Sequence, residues 1–283
     1  MANILEKFFK QPLGVFGLLI ILTWVIVAIL APILAPPTDG ENPYMIIRHS
    51  FSSLPKPSDD VAKFGTTEGG YDIYYGIIWG SRTALIVGLI TVICSSIIGV
   101  LVGGISAYCG GVVDNITMRI VDLFMSIPFL IAVIVMTIVL GKGLDKIIIA
   151  LIIFGWPDYA RIIRSEVLAV KKQEYVSAAK SMGATPLRIF FTHIIPNSIY
   201  PVIVLISINI GRISLVAASL SFVGVGAEPG FADWGQMLSF ARNWISGIPG
   251  EPFHYWYTYV YPSIAIFTFV LGWTLFGDTL RDI

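Results

Sequence analysis

Lys171–Asn197 reads KKQEYVSAAKSMGATPLRIFFTHIIPN, a stretch too polar to cross a bilayer yet too regularly patterned to be a mere connection. A helix is expected from about Gln173 to Met182, ended by Gly183, the residue best suited to a left-handed helix terminus. Thr185 followed by Pro186 restarts a helix, with the threonine as N-cap and the proline in the first turn, where its missing N–H costs nothing. The product is a short helix, a sharp turn and a second helix. Apolar Leu187, Ile189, Phe190 and Phe191 are expected to fold the second helix back on the rest of the chain. The first is then left as a projecting knob, whose surface Ala178 and Ala179 keep small.

Working outward, the flanking sequence is apolar for long distances. About 20 apolar residues cross a hydrocarbon core of roughly 30 Å, and this ruler marks six spans, near 13–34, 82–107, 118–140, 144–165, 197–220 and 256–278. The fourth has an uncharged core only from Ile147 to Pro157, and it reaches full length if Arg161 and Arg164 snorkel at its end. The first exceeds the roughly 7–15 apolar residues of a secretory signal, so it reads as a retained anchor. Arg161, Arg164, Lys171, Lys172, Lys180 and Arg188 form the densest run of cations, which positive-inside bias assigns to the cytoplasm. An even number of spans then places both termini inside. Lys7 and Lys10 agree; Arg48, Lys56, Lys63 and Arg82 lie in the loop expected outside, where a long loop translocates largely regardless of charge.

Composition supports lipid as the main solvent. Of 283 residues, 56% are hydrophobic and 13% charged, about half the charge of an ordinary soluble domain. Charges balance at 18 against 18, with no basic footprint for nucleic acid. Cys94 and Cys109 would sit about 22 Å apart on one helix, beyond disulfide reach. No phosphate-binding Gly-x4-Gly-Lys-Ser/Thr loop, His-Glu-x-x-His or Gly-x-Ser-x-Gly occurs, and His49, His193 and His254 are scattered over both expected sides. No catalytic, metal or cofactor site is therefore expected in this chain. The chain divides into a tail and first span (1–34), a proline-rich external loop (35–80) and a core of five spans (81–283). No internal repeat of the kind found in many secondary transporters is visible.

Two rows of small residues recur every fourth position, Gly76, Gly80, Ala84, Gly88 and Ser95, Gly99, Gly103, Ala107. On a helix each row is a smooth stripe that admits a neighbouring backbone, so the second span is expected to be central. Arg212 is the one charge deep in an expected span. It either faces a water-filled space within the membrane, with Asn209 and Ser219 on about the same face, or pairs with a backbone carbonyl. Trp234, Trp244, Tyr255, Trp256, Tyr257, Tyr259 and Tyr261 crowd the expected outer end, as an interfacial aromatic belt does; part of 221–255 is the alternative landing surface for an external partner.

The opening stretch resembles the EAA loop of binding-protein-dependent ABC importers: Glu-Ala-Ala, three residues, Gly, nine residues, Ile, any residue, Leu-Pro. Ala178, Ala179, Gly183 and Pro196 fall in register, while Ser177, His193 and Ile195 replace the Glu, Ile and Leu. Glu174 places a carboxylate one turn before Ser177. Gly65-Thr66, Gly70 and Asp72, the run Ser219–Gly226, the run Asp233–Leu238 and the run Gly277–Asp282 are similar to the C-type permease subunits of dipeptide and oligopeptide importers. Where that family often has a Glu in the fifth span, Ala217 stands here. The resemblance implies an all-α, type I importer permease with a coupling loop at about 171–196, formed from Glu174, Ser177, Ala178, Ala179, Gly183 and Pro196. It also implies a second homologous permease subunit, two ATP-binding subunits that hold ATP and Mg, an external solute-binding protein, and a prokaryotic inner membrane. Within the family the solute is a peptide or, alternatively, nickel; a secondary transporter or channel is the other class, which the loop argues against.

Overall fold

With so few polar side chains, backbone N–H and C=O groups must find partners within helices. The computed structural model, which describes residues 2–38 and 40–283, is built of them. In order they are α1 (Ala2–Phe9), α2 (Pro12–Leu34), α3 (Ile73–Cys109), α4 (Gly111–Ser126), α5 (Phe129–Leu140), α6 (Leu144–Val170), α7 (Glu174–Ser181), α8 (Pro186–Ile189), α9 (Ile195–Ser198), α10 (Tyr200–Val223), α11 (Trp234–Ala241) and α12 (Tyr257–Asp282). One π-helical turn, Phe190–Ile194, joins α8 to α9. Among the described residues the only β-type pairings are isolated bridges.

Four helices, α2, α3, α10 and α12, are long and apolar enough to cross a membrane, and α4 with α5 makes a fifth if the pair is one crossing. The third expected span, 118–140, is not a straight helix: it breaks into α4 and α5, inclined at 86°. Pro128 explains the break, because it disfavours the helical conformation at the preceding residue, and Ile127 is extended (φ −91°, ψ 129°). The second expected span begins earlier than 82, since Asp72 caps the helix at Ile73 by accepting the Tyr75 N–H at 2.8 Å. The fourth lies wholly within α6, a 27-residue helix that carries Asp158, Arg161 and Arg164 and is not among the four.

Helix α3 is the axis of the bundle, and its small residues explain why. A methyl group on Gly99 would meet Tyr159 Cβ and the Trp156 carbonyl at 2.5 Å, and one on Gly103 would enter the backbone of Ala160. The second small-residue row is thus the seam with α6. The first row faces elsewhere: Gly76 abuts Met237 and Gly80 abuts the Trp234 ring on α11, while Gly88 abuts Ile210 and Ser214 on α10. Ser214 also donates to the Ala84 carbonyl at 2.9 Å. Such close backbone approach replaces the hydrophobic drive that membrane helices lack between one another. On the far flank, α2 lies along α12 through Gly17 and Gly272.

Residues 35–72 and 224–256 fold together as a cap over the start of α3. Asp72 accepts from His49 Nε2 at 2.8 Å in addition to capping the helix. Gly65 and Gly70 hold φ of +79° and +80°, and a side chain on either would strike the carbonyl of Lys56 or Ser50. Indole N–H groups tie the cap to the helices: Trp79 donates to Ala35 O at 2.9 Å and Trp234 to Ile77 O at 3.0 Å. Trp234, Tyr255 and Tyr257 are buried. The Trp234 ring packs against Trp24 of α2 and Phe269 of α12, and Tyr255 packs on Trp244 within the cap, so these three of the seven expected belt residues are interior, while Trp256 is exposed and Trp244, Tyr259 and Tyr261 are half-buried.

Candidate functional site

At the other end of α3 from the cap, Lys171 Nζ donates to the Tyr108 carbonyl at 2.6 Å and fixes where the polar segment leaves the bundle. From there α7 runs as a two-turn helix, and Gly183 ends it in the left-handed region at φ +82° with nothing near its α-carbon to hold a side chain. Thr185 Oγ1 accepts the Arg188 N–H at 3.4 Å and Pro186 opens α8, as the sequence predicts. Val176 and Ala179 face inward, leaving Glu174, Ser177, Ala178 and Ser181 exposed on one face of α7. Gly183 and Pro196 are exposed as well. Five of the six expected loop residues thus lie at the surface, and Ala179 does not, because it lies on the inward face of α7 with Val176, which joins the core of the bundle.

The return path also differs in detail from expectation. Ile189, Phe190 and Ile194 are buried, with the Phe190 ring 5.4 Å from that of Tyr108. Leu187 and Phe191, also expected to pack, are 73% and 57% exposed. The π-helical turn at Phe190–Ile194 shifts the register, so the inward face follows Phe190 and Ile194 instead.

A second feature lies at the middle of the bundle. At the break between α4 and α5 a cavity of about 210 Å³ opens between α3, α6 and α10. Arg212 and Asn209 line it, with Thr91, Ser95, Asp158 and Tyr159. Asn209 Nδ2 donates to Tyr159 Oη at 3.0 Å. The two expected residues are brought together here; Ser219 is not, since it faces an apolar groove with Phe222 and Leu271. Among the described residues no hydrogen bond joins Arg212 to a backbone carbonyl. Nor is Arg212 the one deep charge: Asp158, near the midpoint of α6, shares the cavity. Sequence reading ended the uncharged core at Pro157, one residue short of it, and the signal was the carboxylate within the Trp156–Arg161 run.

Helix α4 is strapped to α6 by Arg164, whose Nε and Nη2 donate to the two Asp114 oxygens at 2.7 and 2.6 Å. Under the cap, Asp233 starts α11 by accepting the Gly235 N–H at 2.7 Å and receives the Ser221 hydroxyl. Burial pushes the Asp233 carboxyl above its ordinary value, against the pull of Ser221 and of the Gly235 and Gln236 N–H groups. The runs Ser219–Gly226 and Asp233–Leu238 thus serve as a joint between α10 and α11.

Membrane-crossing helices around a mid-depth polar cavity, with a capped helix-turn-helix at one end, make the architecture of a membrane permease subunit. Residues 95–283 match the binding-protein-dependent transport system inner membrane component family, and residues 1–52 match the N-terminal TM domain of oligopeptide transport permease C. The chain belongs to the family of binding-protein-dependent transport system inner membrane components. Among its relatives, the dipeptide transport system permease protein DppC of Alkalihalophilus pseudofirmus is 35% identical over 96% of this chain and 85% of its own length. Glutathione transport system permease protein GsiD of Pectobacterium atrosepticum is 34% identical over 98% and 88%, and oligopeptide transport system permease protein OppC of Bacillus subtilis 34% over 98% and 86%. An inward-facing structure of the MetNI methionine ABC transporter superposes with a TM-score of 0.58 at 19% identity, covering 74% of this chain and 96% of that one. It shares the fold. The chain is the permease component of an ABC importer, in which ATP hydrolysis belongs to other subunits.

Proposed function

We propose that this chain forms half of the translocation pathway of an ATP-driven peptide importer. A second homologous permease subunit supplies the other half, two ATP-binding subunits hold ATP and Mg, and an external solute-binding protein delivers the solute. The chain itself holds no cofactor. The exposed face of α7 carries the reading. Glu174, Ser177 and Ala178 form a small, rigid surface held by Gly183, Thr185 and the buried Phe190 turn, and Gly183 and Pro196 bound it. Such a knob moves as a body when the subunits that grip it close, and the attached α6 and α10 move with it. Six crossings follow if α4–α5 and α6 each count as one, with both termini cytoplasmic and the cap (35–72 together with 224–256) outside. Lys171, Lys172, Lys180 and Arg188 at the α7 end support that orientation. Arg212 and Asn209 line the pathway. Peptides are the solute class because the similar permeases are named for dipeptides, oligopeptides and glutathione.

The test is co-purification in mild detergent, with the native loop and with Gly183→Pro plus Ala178→Arg. ATP-binding subunits are expected with the native chain and lost with the altered one. Their absence in both cases overturns the importer assembly; their retention in both overturns the role given to α7.

A further inference from the structure

The cavity at the α4–α5 break gathers opposite charges without pairing them. Arg212 on α10 and Asp158 on α6 both line it, each near the middle of its helix. Among the described residues neither is ion-paired or hydrogen-bonded through its side chain. A charge at mid-membrane costs roughly 2.5–3.5 kcal/mol on insertion scales, and a purely structural pair would recover part of this by closing on itself. Here both remain directed to a common space. Thr91 and Ser95, 1% and 2% exposed, line the same cavity with hydroxyls that have no hydrogen-bond partner.

These groups define a ligand chemistry. A guanidinium offers a fork of donors to a carboxylate, a carboxylate accepts from an ammonium, and hydroxyls serve amide groups of either polarity. A bare metal cation would be repelled by Arg212, and a neutral solute would need neither charge. Resting on the peptide reading above, we infer that the cavity is a transient subsite for the zwitterionic ends of a short peptide. Arg212 receives the α-carboxylate, Asp158 the α-ammonium, and Thr91 and Ser95 the amide between them. At about 210 Å³ the space equals roughly seven waters at about 30 Å³ each, so the backbone of a short peptide, both ends included, enters with little of its hydration. Arg212 is itself exposed at the cavity mouth. Contacts of this kind are weak enough to release the solute again, as passage requires.

The experiment uses the complete importer in liposomes with unaltered binding protein. Its probe is an equimolar mixture of di- and tripeptides in unblocked, N-acetylated and C-amidated forms, read by mass spectrometry of vesicle contents. Arg212→Gln is expected to lower the unblocked-to-amidated uptake ratio about tenfold, the worth of one charged hydrogen bond, and Arg212→Lys to lower it less, since the charge stays while the fork of donors is lost. Asp158→Asn, nearly isosteric, is expected to lower the unblocked-to-acetylated ratio by a similar factor, and tests the site even where Arg212→Gln fails to assemble. Ratios unchanged in the variants, or a uniform loss across all three peptide forms, overturn the subsite. No uptake of any peptide by the unaltered importer removes the peptide reading itself and the subsite with it.

Discussion

Gly103 and Gly104 are adjacent on α3, and the structure gives them opposite tolerances. A methyl group on Gly103 would lie 2.6 Å from Ala160 Cα and 2.8 Å from its carbonyl carbon. Carbon pairs rest near 3.5–4.0 Å, so α3 and α6 must part by about 1 Å, which forfeits roughly a quarter to a half of the dispersion energy along the seam. Overpacking of this kind costs about 1–3 kcal/mol, against which alanine's helix propensity returns about 1. On Gly104 the same methyl group meets side chains only, Ile195 and Phe190 at 3.4 Å and Ile163 at 3.8 Å, all ordinary van der Waals distances. Gly104→Ala should therefore be neutral or stabilising by up to about 1 kcal/mol. The two variants should differ by about 2 kcal/mol, or roughly 4–8 °C in midpoint for a chain of this size. Thermal unfolding in detergent, followed by size-exclusion fluorescence, reads the difference. Because Tyr159 adjoins Ala160 and holds Asn209, Gly103→Ala should also depress uptake. Equal midpoints for the two variants would refute the claim that backbone proximity at the α3–α6 seam organises the bundle.

Asp72→Ala removes the cap of α3 and the partner of His49 together, and should lower stability by about 1–2 kcal/mol; thermal unfolding that moves by less than a degree counts against the cap. Gly183→Ala meets no steric obstacle but forces a side chain into φ +82°, costing about 1 kcal/mol. Titrating ATP-binding subunits onto the purified variant should show affinity weakened about fivefold, given that cost, whereas unaltered affinity would mean that the turn is not part of the docking surface. Asp233 has its carboxyl raised above 3.8 by burial, so the folded protein binds more protons there than the unfolded chain. Its contribution to stability is therefore fully present below the ordinary value and declines as pH rises toward the raised one. Asp233→Asn keeps an oxygen to accept the Gly235 N–H and gains an NH2 that donates to Ser221 Oγ, and it should flatten that slope in unfolding midpoints measured across acid pH; an unchanged slope would assign the pH dependence elsewhere.

Much of the bundle was legible from local rules. The Gly183 turn, the Thr185–Pro186 restart and the two small-residue rows depend on single-residue conformational preferences and on the four-residue repeat of a helix, which need no knowledge of neighbours. Lipid as solvent follows from composition alone. What failed did so where a neighbour decides. The span at 118–140 reads as one apolar run because hydropathy does not register direction, and Pro128 turns it through a right angle. Trp234, Tyr255 and Tyr257 carry the composition of an aromatic belt, yet neighbours distant in sequence bury them, Trp24 and Phe269 in the case of Trp234. Sequence distinguishes an interfacial ring from a buried one only once it is known what lies on top.

The amino-acid sequence by itself determined that this is a helical membrane chain with a capped, projecting turn near residue 183, because periodicity, capping and hydropathy act over one or two helical turns. Only the tertiary structure decided that Arg212, Asn209 and Asp158 share one cavity and that Ser219 stands apart. Residues about 50 positions distant, such as Tyr159 and Asn209, meet through the crossing of α6, α3 and α10. That crossing is set by where glycine lets backbones touch, a property of pairs of helices that no single stretch of chain contains.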